Sequence, residues 1–89
     1  MRTVTTELFS GGPGDSFEAA VIINTSSGKI GVAAESQFIS ALHGVREKDW
    51  SKVMQELRWH LDRPYDVVTI ELANGTIRKF YFEISRFYR

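Results

Sequence analysis

The sequence predicts an α+β fold: a two-layer sandwich in which an antiparallel sheet of four or five strands packs on two helices, in the order βββααββ. Three observations predict it. The first third alternates β-branched stretches with glycine-rich turns. The apolar period then lengthens from two to about 3.6 over residues 35–63. The chain closes on two apolar stretches joined by Asn74-Gly75, a hairpin signal.

Size and composition frame these elements. A chain of 89 residues is bounded to one domain. It holds no cysteine, so neither a disulfide nor a thiolate metal site supplements apolar burial. The 43% hydrophobic and 12% aromatic content is adequate for a core and argues against disorder. The arginine at position 2 is followed by no apolar run, so the start reads as no signal peptide. No stretch approaches the roughly 20 apolar residues of a membrane span. The expected setting is cytoplasmic, with which the lack of cysteine is compatible.

Taken in order, residues 3–9 read as a strand and 10–16, SGGPGDS, as a loop. Residues 17–24 are apolar on both parities, the mark of a strand in a central or doubly covered place. TSSG reads as a turn and KIGVAA as a short third strand. In residues 35–45, Phe38, Ala41, Leu42 and Val45 fall on one helical face, with Gly44 as the stop. In the following segment Trp50, Val53, Met54, Leu57 and Leu61 form a second helical stripe, closed by Pro64. The two stripes lie about 120° apart at 100° per residue, so a break near residues 44–47 is expected and two helices result.

The final hairpin has two competing registers. A two-residue turn at Asn74-Gly75 would set Lys79 in the apolar layer opposite Ile70. A three-residue loop of Ala73, Asn74 and left-handed Gly75 pairs Leu72 with Thr76 instead. Val68, Ile70 and Leu72 then share a face with Phe80, Phe82 and Ile84, while Lys79 and Tyr81 turn outward. A one-residue slip exchanges the faces, so burial selects the bulged loop. A β-grasp-like arrangement is one variant of the expected fold.

No catalytic set is marked. His43 and His60 are the only imidazoles, and no pair of them has metal-ligand spacing. Ser36, Ser40 and Ser51 lack an elbow motif. The glycine-rich loop has no lysine and leads into a strand, unlike a phosphate-binding loop. No cofactor or metal is expected, and the chain does not read as an enzyme.

Two surfaces remain. Trp59 falls about 180° from the second stripe, among Lys52, Gln55 and Glu56. It is covered by a chain end, or sits in a homodimer or partner interface, or is simply exposed. Trp is enriched at binding hot spots. The C-terminus gathers Lys79, Tyr81, Arg86, Phe87, Tyr88 and Arg89, and residues 78–89 carry a local net charge of +3. Aromatic and basic groups together suit single-stranded nucleic acid, but eleven basic residues balance eleven acidic ones overall. The expected function is a small protein–protein interaction module, an adaptor, inhibitor or assembly subunit able to self-associate. The alternative is a single-stranded nucleic-acid-binding domain using the outer sheet face and C-terminus.

Overall fold

In a computed structural model that describes residues 7–88, five strands and one helix follow in the order ββαβββ. These are β1 (Phe9–Gly11), β2 (Val21–Ile23), α1 (Gly28–His43), β3 (Trp50–His60), β4 (Arg63–Leu72) and β5 (Ile77–Glu83). They form one sheet of order β1-β2-β5-β4-β3. β2 runs parallel to β5 and every other pair is antiparallel. The sheet is therefore mixed rather than antiparallel, and one helix rather than two covers it.

The strand expected at 3–9 lies largely outside the described residues. The central position expected for residues 17–24 holds only for Val21–Ile23, between β1 and β5. Ser16 accepts a hydrogen bond from the Ala19 N–H and turns the chain before the strand begins.

Two segments change type. KIGVAA belongs to α1, not to a strand. Ser27 caps the helix by accepting from the Ile30 N–H at 3.2 Å. Gly31, Ala34, Glu35 and Ile39 are its buried residues, at helical spacing. The β-branched Ile30 and Val32 that suggest a strand point to solvent. Gly44 ends the helix at φ 102°, as its position implies.

The expected second helix is β3. Its supposed core stripe is mostly exposed, with only Trp50 buried. The Trp50 indole N–H donates to the Gly44 carbonyl at 3.0 Å and fastens the strand to the helix end. Tight connection to β4 decides the outcome. Leu61 and Asp62 both adopt left-handed conformations, φ 50° and 64°, between the paired His60 and Arg63. That is a two-residue type I′ turn, whose twist suits a hairpin.

The β4–β5 hairpin takes the bulged register. Leu72 N–H donates to the Thr76 carbonyl at 2.8 Å, and Gly75 is left-handed. Val68, Ile70, Phe80, Phe82 and Ile84 are buried with Val21, Ile23, Ala34 and Ile39 beneath α1, while Lys79 is exposed. Phe87 completes this core by lying under Gly31.

Candidate functional site

The longest strand of the sheet is also its edge. β3 has eleven residues, and among the described residues it is paired only along its β4 side, apart from a bridge between Arg46 and Trp50 at its start. An edge strand presents unpaired N–H and C=O groups, a template for another strand. The register with β4 shifts between Lys52 and Met54, so Val53 is an extra, bulged residue. From Met54 onward the pairing is regular to His60.

This edge carries the residues singled out around Trp59, although on a strand rather than a helix. Residues paired across a ladder share a face. Lys52, Gln55, Leu57 and Trp59 therefore share the helix side with Ile70, Val68, Asp66 and Pro64. Met54, Glu56, Arg58 and His60 occupy the outer face. Leu57 and Trp59, 44 and 59% exposed, stand at neighbouring positions of the helix side, and Met54, 46% exposed, stands on the outer face of the same edge. The Trp59 ring meets Tyr88 edge-on at 5.5 Å, so the C-terminal tail touches the indole without covering it.

Polar contacts are ordered along the same edge. Lys52 Nζ donates to Gln55 Oε1 at 2.6 Å. Gln55 Nε2 donates to Asp66 Oδ2 at 3.2 Å and to Glu35 Oε1 at 3.4 Å. Arg58 pairs with Glu56 at 3.0 Å on the outer face. Glu35, from α1, is buried, and no donor among the described residues reaches its Oε2. Burial first, then the Asp66 carboxylate beside it, which accepts its proton's hydrogen bond and repels its anion, push Glu35 up to about 10; Lys52 opposes them.

The C-terminal group is divided between two faces. Lys79 and Tyr81 lie on the outer face, where the half-buried Tyr81 meets Phe17 edge-on at 4.9 Å. Phe87 is a core residue, so its ring offers no stacking surface. Tyr88 stands beside Trp59, Arg86 is exposed, and Arg89 lies outside the described residues.

His43 is in the last turn of α1. His60 stacks flat on Phe17 at 4.4 Å and lines an open recess of about 380 Å³ with Glu18, Leu61, Arg63 and Tyr65. That lining includes no serine, threonine or cysteine to act as a nucleophile. Among the described residues no three His, Asp or Glu side chains converge as a metal site, and no helix is long and apolar enough to cross a membrane.

Arg58, Leu57 and Met54 were not among the surface residues the sequence suggested. Residues 56–61 do alternate polar and apolar, a signal for a strand that the longer helical stripe overrides. Compared with protein-family models, with curated proteins and with solved structures, the chain finds no match in any of the three.

Proposed function

We propose that this chain is a protein–protein interaction module that engages its partner along the β3 edge. One observation carries the reading: the longest strand ends the sheet, with Met54, Leu57 and Trp59 exposed along it. Backbone hydrogen bonds supply affinity in strand addition, and alternate side chains supply selectivity. An aromatic anchor such as Trp59 is the residue type most often found at the energetic centre of an interface. The division of the aromatic and basic C-terminal residues over two faces gives the nucleic-acid reading no comparable surface.

Amide NMR of the labelled full chain tests the proposal. The macromolecular fraction of a cell extract should shift or broaden the signals of residues 54–60 ahead of all others. Shifts produced instead by the small-molecule fraction, centred on the His60 recess, would replace this reading with a ligand-binding one. A single-stranded oligonucleotide that moves Lys79 and Arg86 but leaves β3 untouched would replace it with the nucleic-acid reading.

A further inference from the structure

We infer that the partner along β3 is a second copy of this chain, paired antiparallel about a two-fold axis at Leu57; this rests on the edge-docking reading above. The assignment follows from register and charge. A two-fold axis perpendicular to the sheet keeps both helices on one side, so residues facing each other across it must come from the same face. Only registers centred on a residue pair meet that condition. The Val53 bulge and the Leu61–Asp62 turn confine regular pairing to residues 54–60.

Within that stretch the charges select the centre. An axis at Leu57 uses all seven residues. It sets Glu56 opposite the partner's Arg58 and Arg58 opposite the partner's Glu56. With the pair already formed within each strand at 3.0 Å, the four groups alternate in sign around a square on the outer face. On the helix side, Leu57 meets the partner's Leu57, flanked on each side by Trp59 opposite the partner's Gln55. Moving the axis to Glu56 places two carboxylates face to face, and moving it to Arg58 opposes two guanidinium groups. Like charges directly opposite destabilise a strand pair, and opposite ones stabilise it.

The product is a continuous ten-stranded sheet. Seven facing positions provide about six to eight backbone hydrogen bonds, since alternate pairs exchange two each. Leu57 and Trp59, 44 and 59% exposed in the single chain, become neighbours across the new ladder. A contact of this size sits below the standard interface, so the dimer is a micromolar one, with a dissociation constant of about 1–100 µM.

Sedimentation equilibrium over about 0.5–500 µM spans that range. The wild-type chain should move from monomer to dimer. Arg58→Glu and Glu56→Arg should each weaken association at least about tenfold. The double reversal E56R/R58E should restore it, and Glu71→Arg, a reversal away from the edge, should leave it unchanged. Circular dichroism checks that each variant is folded.

A second measurement reads the register directly. The chain has no cysteine, so Leu57→Cys introduces a single thiol at the axis, within reach of its mate. Mild oxidation should link it to a covalent dimer at least ten times faster than Gln55→Cys, whose mate lies four positions away on the same face. A wild-type chain monomeric throughout, or equal crosslinking rates at the two positions, overturns the inference. If residues 54–60 nevertheless respond to extract, the edge-docking reading stands with another protein as occupant. If they respond neither to extract nor to concentration, both fall.

Discussion

Raising the pH should weaken this fold through Glu35, and Glu35→Gln should remove the effect. Its folded pKa, about 10, lies far above the ordinary 4.5 that it regains on unfolding. Between those values the folded chain holds one proton that the unfolded chain has released. Stability from this group is thus fully present below about pH 4.5 and declines as pH rises toward 10. The slope is one proton, or about 1.4 kcal/mol per pH unit, so about 2.7 kcal/mol is lost between about pH 5.5 and 7.5. Domains of this length have about 4–13 kcal/mol in total, so the loss is a large fraction. Asp66, Lys52 and Gln55 face Glu35 and are common to both chains, as is every other titratable group. The difference between wild type and Glu35→Gln therefore isolates one site. The glutamine amide accepts from Gln55, as Oε1 does now, and has an N–H for Asp66. Urea unfolding with linear extrapolation should show two curves that meet near pH 4.5 and diverge above it, the variant being the more stable. Parallel curves for the two proteins would refute the account of a buried, protonated acid.

Further outcomes follow from single geometries. Glu83 is buried and its desolvation raises its pKa, but the Ser85 N–H and hydroxyl and the Arg63 guanidinium outweigh that and leave it below 4.5. Its contribution is present above pH 4.5 and lost as pH falls through the folded value, so acid unfolding of Glu83→Gln should begin from a lower plateau and be shallower. The double substitution L61N/D62G should stabilise the β3–β4 hairpin by about 1 kcal/mol, read as a rise of about 4–8 °C in Tm, because Leu is costly in a left-handed conformation and Asn-Gly is the pair that a type I′ turn favours. Gly31→Ala should destabilise by about 1–3 kcal/mol, since its Cβ would stand 2.5 Å from the Phe87 ring, and Phe87→Leu should recover part of the loss in a double-mutant cycle.

The sequence disclosed the last hairpin down to its register and misassigned the type of two earlier segments. The reason is how many layers act on each. β4 has strands on both sides, and β5 lies between β4 and β2. Both are pressed under α1, so burial leaves one register in which Phe80 and Phe82 can face inward. In α1 the inward face carries Gly31, Ala34 and Glu35 beside Ile39, and the first three are too small or too polar to announce a core face, while Ile30 and Val32 look outward. Small residues are what allow close approach there, as the Phe87 ring against Gly31 shows. The type I′ turn at Leu61 and Asp62 lacks the Asn-Gly or Gly signature by which such turns are read.

β3 is a different kind of case, and it explains why the residues flagged around Trp59 were placed on the right segment with the wrong geometry. A strand covered on one face and paired on both edges must alternate, because its neighbours enforce period two. β3 is paired on one edge among the described residues, and α1 does not reach Leu57 or Trp59 far enough to bury them. Among the described residues nothing therefore selects against apolar residues at helical spacing, and Val53, Met54 and Leu61 stand exposed without disturbing the core. The strict alternation that does survive, from Glu56 to Leu61, overlaps the stretch that pairs regularly beyond the bulge at residues 56–60. That is the stretch in which a second strand would impose its own period. Residues 56–60, which alternate without entering this monomer's core, are thus the ones whose pattern a partner strand would account for.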